Sequence, residues 1–147
     1  MTPMDILYER AYRFASKMHA GQIGKDGQPY IKHCIRVSMN CDTPIAKVAA
    51  ILHDVLEDTD AQPEWIQARF GDEVYEAVIC LTRCHKEAYM SYIERVALNP
   101  IAMEVKIADL IDNCNLTRLP TVTTNDAIRL KKYATALQCL LTKKRYM

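Results

Sequence analysis

Residues 49–60 read AAILHDVLEDTD. The stretch sets His53 and Asp54 inside an apolar run, with Ala49, Ala50, Ile51 and Leu52 before them and Val55 and Leu56 after. An ionised carboxylate in such a run is costly to bury unless another charge compensates it. A metal ion supplies that charge. Glu57 lies four residues beyond His53, and Asp58 four beyond Asp54. On a continuous helix this spacing puts each acid one turn from a candidate ligand, on the same face. The pattern predicts a helix that carries two metal ligands, with two acid/base groups beside the metal-bound water.

Working outward, Thr43 and Pro44 mark the start of that helix, because Thr is a good cap and Pro suits the first helical position; the helix is expected to run through KVAAILHDVLED. Upstream, Ile6, Leu7, Ala11, Phe14, Ala15 and Met18 form an apolar stripe on a helix over 3–20. The loop GQIGKDGQ follows, and Pro29 is expected to open a helix over 29–40. Downstream, Pro63 begins a short helix that Gly71 ends. Helices are expected over 72–83 and 87–98, and a long one from Pro100 to about Leu119, stopped by Pro120. Thr124 or Asn125 should cap a last basic helix ending at Arg145. With only 4 glycines and 6 prolines and almost no strand-type alternation, the expectation is an all-α fold: one compact bundle of seven or eight short helices spanning 1–147.

The chain has 147 residues, 50% of them apolar and 25% charged, with a formal net charge of +1. A balance so close to neutral gives no bulk attraction to nucleic acid or to an anionic membrane. An anionic substrate must be drawn in locally. No apolar run approaches membrane-spanning length. The six cysteines, Cys34, Cys41, Cys80, Cys84, Cys114 and Cys139, form no C-x-x-C pair. They are expected to be reduced and mostly buried, in a cytoplasmic protein without a structural zinc site.

Further ligands must come from other helices. His33 follows PYIK, and Asp109 sits among Ile107, Ala108, Leu110 and Ile111. Asn113 is four residues past Asp109 and shares its face, and Asp112 is three past it. The set His33, His53, Asp54 and Asp109 offers two imidazoles and two carboxylates, which suits manganese, iron, cobalt or zinc better than calcium. His19 and His85 lack acidic company and are read as structural. Tyr89 and Tyr92 are read as packing residues. Arg83 suits either a phosphate contact or a helix end. The basic tail with Lys131, Lys132, Lys143, Lys144 and Arg145 is read as a solvated face.

The order H…HDxxED…DxxxN resembles that of HD-domain phosphohydrolases, and more narrowly the hydrolase domain of the RelA/SpoT alarmone enzymes. The stretches that carry the likeness are FASKMHAGQIGKDGQPYIKH (14–33), AAILHDVLEDTD (49–60), LTR (81–83) and VKIADLIDN (105–113). With so little chain after the last helix, a small hydrolase without a synthetase domain is expected. The resemblance implies that His33, His53, Asp54 and Asp109 bind Mn2+, and that Glu57 and Asp58 position and deprotonate the attacking water. It also implies that Lys25, Tyr30 and Asn113 contact a phosphorylated nucleotide. The implied reaction is removal of the 3′-pyrophosphate from guanosine tetra- or pentaphosphate. Three positions depart from the family pattern: Gly24 stands where an arginine that can lie against guanine is usual, Leu110 replaces an arginine, and Cys34 replaces a proline. Two other readings stay open, hydrolysis of another nucleotide and nucleotide binding without turnover. The oligomeric state stays open too.

Overall fold

The computed structural model describes residues 1–147. Nine α-helices follow one another: α1 (Pro3–Met18), α2 (Ile31–Met39), α3 (Pro44–Leu52), α4 (Val55–Asp58), α5 (Pro63–Phe70), α6 (Asp72–Leu81), α7 (Tyr89–Val96), α8 (Pro100–Asn113) and α9 (Thr124–Arg145), with a 3-10 turn at Leu116–Arg118 before the last. The expected all-α class is the one observed.

Several helix starts follow from local chemistry. Thr43 accepts a hydrogen bond from the Ala46 amide at the start of α3, and Asn99 does the same for Ala102 at the start of α8, each followed by proline. The last helix is capped one residue earlier than expected. Thr123 is the cap because Asp126, three residues on, returns the hydrogen bond and completes a capping box.

Of the expected helices, one ends early and another begins late. The helix from Pro100 stops at Asn113 rather than near Leu119, since the Asn115 side chain accepts the Thr117 amide and starts the 3-10 turn. Pro29 does not open α2. It forms an isolated bridge with Ile23, while the Tyr30 amide donates to the Gln22 carbonyl at 2.9 Å, so the loop of residues 21–30 is tied off before the helix begins.

The most consequential difference lies in the central stretch. The helix expected to run unbroken from Pro44 through Asp58 is interrupted at His53 and Asp54. Asp54 sits at φ −106°, ψ 1°, in the sparsely populated bridge region where many active-site residues lie. The His53 amide bonds the Ala50 carbonyl three residues back instead of four. Neighbouring residues on a regular helix diverge by about 100°. The turn lets His53 and Asp54 approach the same point.

Val48 through Leu52 are wholly buried, so α3 runs through the middle of the bundle. One side packs into a cluster with Val37, Leu81, Ile93, Val96, Val105 and Leu140. The other packs with Ala11, Phe14, Ile66, Val74 and Val78. The central helix thereby holds the His53–Asp54 turn between α2 and α8. Of the cysteines, Cys34 and Cys41 are buried, three are half-buried and Cys84 is exposed, fewer buried than expected. No helix is long and apolar enough to cross a membrane.

Candidate metal centre

Three segments converge on one point: the first turn of α2 with His33, the turn between α3 and α4 with His53 and Asp54, and the last turns of α8 with Asp109. His33 Nε2 lies 3.0 Å from Asp109 Oδ1, and His53 Nε2 lies 2.9 Å from Asp54 Oδ2 and 3.4 Å from Asp109 Oδ1. Asp54 Oδ2 is 3.9 Å from His33 Nε2. The donor atoms of His33, His53 and Asp109 all lie within 4.8 Å of one another.

The donors suit a divalent ion. His53 Nδ1 donates to the Ala50 carbonyl at 2.6 Å, and a carbonyl can only accept, so Nδ1 keeps its proton and Nε2, which faces the cluster, is the nitrogen whose lone pair is available once the ring is neutral. That Nε2 is buried and makes no hydrogen bond, for Asp54 approaches it outside hydrogen-bonding geometry. His33 places Nδ1 2.7 Å from Asp112 Oδ2, which again turns Nε2 toward the cluster. Two imidazole nitrogens and two carboxylates on one point form a mixed N/O donor set.

The charges are strongly coupled. Burial disfavours the charged form of His33, but hydrogen bonds to Asp109 and Asp112 outweigh it and lift the imidazole to about 9. His53, buried more deeply, is raised by Asp54 and Asp109. Burial alone would raise both carboxylates. Instead His53 holds Asp54 below its usual range, and Lys106 with the two imidazoles does so for Asp109. Lys106 Nζ donates to Asp109 Oδ2 at 2.8 Å, and Asn113 Nδ2 donates to Asp109 Oδ1 at 3.1 Å. The Tyr30 hydroxyl donates to Asp54 Oδ2.

Glu57 and Asp58 stand at the rim, exposed on the short helix α4. Desolvation by surrounding protein, then the charges of Asp54 and Glu57, push Asp58 up to about 6. Glu57 is raised by desolvation, against the backbone amide of Arg83, which donates to its carboxylate. The Arg83 amide thereby steadies Glu57, while its guanidinium donates to the Glu87 carbonyl at 2.9 Å and lies over the Tyr89 ring.

Beside the centre opens a cleft of about 230 Å³. Tyr30, His33 and Asn113 line its inner end, and Lys25, Arg36, Arg118 and Arg129 line its walls. All nine residues singled out from the sequence thus lie at the centre, its rim or the adjoining cleft. Tyr92 packs as expected, its hydroxyl donating to the Leu81 carbonyl at 2.5 Å, and Tyr89 stacks edge-on against it. His19, read as structural, caps α1 and bonds Gln22 through Nδ1 at 2.7 Å, with its ring beside Tyr30. Cys34, in the usual proline position, places its sulfur within 4.8 Å of donor atoms of His53 and Asp54, and burial pushes its thiol up to about 12.

Sequence reasoning assigned no role to Lys106, Arg36, Asp112, Arg118 or Arg129. Signals existed for three of them. Lys106 and Asp112 flank Asp109 at three residues on either side, and Arg36 follows His33 at the same spacing. No pattern pointed to Arg118 or Arg129.

Residues 11–99 match the family described as HD domain. A guanosine-3′,5′-bis(diphosphate) 3′-pyrophosphohydrolase of Aquifex aeolicus (strain VF5) is 38% identical over 120 residues, which cover 71% of this chain and 17% of that protein. A GTP pyrophosphokinase of Streptomyces coelicolor is 32% identical over 124 residues, covering 75% of this chain and 14% of the relative. The chain thus spans less than a fifth of the length of these curated relatives. A solved structure described as a metazoan ortholog of SpoT that hydrolyzes ppGpp superposes with a TM-score of 0.77 at 28% identity, covering 92% of this chain and 85% of that one.

Proposed function

The chain belongs to the HD-domain family, and from that premise we propose that it hydrolyses the 3′-pyrophosphate of guanosine tetra- or pentaphosphate with one bound divalent ion, manganese by preference. The observation that carries the reading is the convergence of His33, His53, Asp54 and Asp109 on one point, beside a polar cleft whose lining includes Lys25 and three arginines as well as Asp26, Asp112 and Asp126. The names of the relatives support the choice of substrate. Residues 1–147 are read as one HD-type unit, supported by the way α3 contributes to both apolar clusters.

His33, His53, Asp54 and Asp109 would hold the ion. When bound it would polarise a phosphoryl oxygen and lower the pKa of coordinated water. Glu57 and Asp58, at the rim, orient the attacking water and accept its proton. A base at about 6 is largely ionised at neutral pH yet still basic enough to serve. Water oxygen attacks the phosphorus attached to the ribose, the bond from that phosphorus to the 3′ oxygen breaks, and the 3′ oxygen takes up a proton. Lys25 offsets charge on the departing pyrophosphate. Asn113 and Tyr30, each bonded to a candidate ligand carboxylate, orient the substrate at the inner end of the cleft.

One feature favours a second reading, cleavage of another phosphorylated nucleotide. Gly24 offers no guanidinium plane for guanine. A turnover assay separates the two. Protein stripped of metal receives guanosine tetraphosphate with and without manganese, and GDP and pyrophosphate are quantified, with Asp54→Asn as control. Manganese-dependent release of both products, lost in the variant, is expected. No release from folded, manganese-loaded protein would overturn the guanosine assignment and turn attention to other nucleotides.

A further inference from the structure

Asp112 lies behind the metal-facing donors. Its side chain is 4% exposed, and both oxygens are fully engaged. Oδ2 faces His33 Nδ1 at 2.7 Å and Arg36 at 3.1 Å. Oδ1 takes Arg36 Nε at 2.8 Å and Arg118 at 2.8 Å. A carboxylate this buried needs opposite charge, and here two guanidiniums supply it from different segments, α2 and the 3-10 turn. They fix the plane of the carboxylate so that one lone pair is aimed at His33. A neutral imidazole that donates through Nδ1 has its lone pair on Nε2, and Nε2 is the atom turned toward Asp109 and Asp54.

We infer that Asp112 is a positioning residue that acts through His33, holding the imidazole in the tautomer and orientation needed to bind the ion, with Arg36 and Arg118 serving as its clamp. The inference rests on the metal-centre reading above. Residues that orient a metal-binding histidine commonly set metal affinity by about 10–100-fold although they never touch the ion. The spacing serves the role. Asp109 and Asp112 lie three residues apart on α8 and face the two nitrogens of one ring, at 3.0 and 2.7 Å.

The near-isosteric Asp112→Asn variant tests the idea sharply. Asparagine has one oxygen, and two guanidiniums compete for it with charge-assisted hydrogen bonds. The amide nitrogen is then left facing His33. Two donors cannot meet, so the ring shifts its proton to Nε2 and loses the lone pair that faces the cluster. Calorimetry of manganese binding is expected to show about 10–100-fold weaker affinity in Asp112→Asn and in Asp112→Ala. Saturating manganese should restore a large part of kcat in both. Arg118→Gln, which removes one clamp and keeps the carboxylate, should lose less affinity than either.

Circular dichroism guards against misreading a folding defect; if Asp112→Ala does not fold, Asp112→Asn decides. Folded Asp112→Asn with wild-type manganese affinity would overturn the proposal, since a merely structural carboxylate would lower thermal stability without changing metal affinity. A wild-type protein that takes up no manganese would overturn the metal reading itself. The two failures are therefore told apart by the wild-type titration.

Discussion

Replacing Lys106 by methionine removes the cation nearest Asp109 while keeping most of the apolar stem. The pair is nearly dry, with side chains 11% and 5% exposed at 2.8 Å. Removing one partner of a buried pair costs about 3–5 kcal/mol, because the other charge is left behind. Here Asn113 and His33 still contact the carboxylate, so the lower end applies, about 3 kcal/mol. For a chain of this size that corresponds to a fall of about 6–12 °C in the melting temperature of the metal-free protein. Manganese changes the balance, since a bound dication supplies the charge that Lys106 supplied and no longer has that ammonium to repel it. The variant should therefore bind manganese more tightly than the wild type. By linkage, a tenfold tighter Kd recovers about 1.4 kcal/mol of the deficit at saturating metal. Thermal melts with and without manganese, paired with calorimetric Kd values, close this cycle. An equal deficit in both conditions, with unchanged Kd, would refute the view that Lys106 and the ion compensate the same carboxylate.

Glu57→Gln should keep manganese affinity within about twofold yet lose about 10²–10⁴-fold in kcat, the range for a general base; full turnover would remove Glu57 from the chemistry. Gly24→Arg should lower KM for guanosine tetraphosphate by about two- to thirtyfold if an arginine plane stacks on the base, measured by initial rates. The backbone at Gly24 is not in the left-handed region, and an added Cβ makes ordinary contacts with the Gln28 carbonyl at 3.6 Å and the Tyr30 ring at 3.9 Å, so the change asks only that the Asp26 carboxylate, 3.1 Å away, shift slightly. Manganese affinity should rise with pH. The folded-state value of His33 is raised from 6.5 to about 9, so its charge stabilises the metal-free protein fully below pH 6.5 and is lost as pH climbs through about 9. The ion competes with that proton and gains over the same window. Calorimetry at several pH values would show the rise, and a flat profile would contradict it.

The helices with strong end signals were legible in the sequence. Thr43–Pro44 announces α3 and Pro100 announces α8 because helix-start signals are chemistry between near neighbours. The break at His53 and Asp54 was not legible. Nothing in AAILHDVLED disfavours a helix locally, and the interruption serves contacts with α2 and α8 that lie far off in sequence. The i to i+4 spacing therefore pointed to residues that the fold brings together, although only Asp54 and Asp58 keep the helical relation, the Asp58 amide donating to the Asp54 carbonyl at 3.0 Å. Direct ligand candidates were readable because ionisable residues are conspicuous in apolar runs. Arg118 and Arg129 were not, because they lie in polar surroundings where an arginine raises no question.

The burial of α3 on every side also bears on the chain before it folds. Val48 to Leu52 form an uninterrupted apolar run, and such a run, exposed in an unfolded polypeptide, invites association with other copies. Lys47 stands on one side of it, and His53, Asp54, Glu57 and Asp58 lie on the other. The acids proposed to serve the metal and the water thus double as gatekeepers against aggregation. Neutralising Asp54 removes a charge from the edge of that run, so the soluble yield of Asp54→Asn after dilution from denaturant should fall below that of the wild type even where the native state persists.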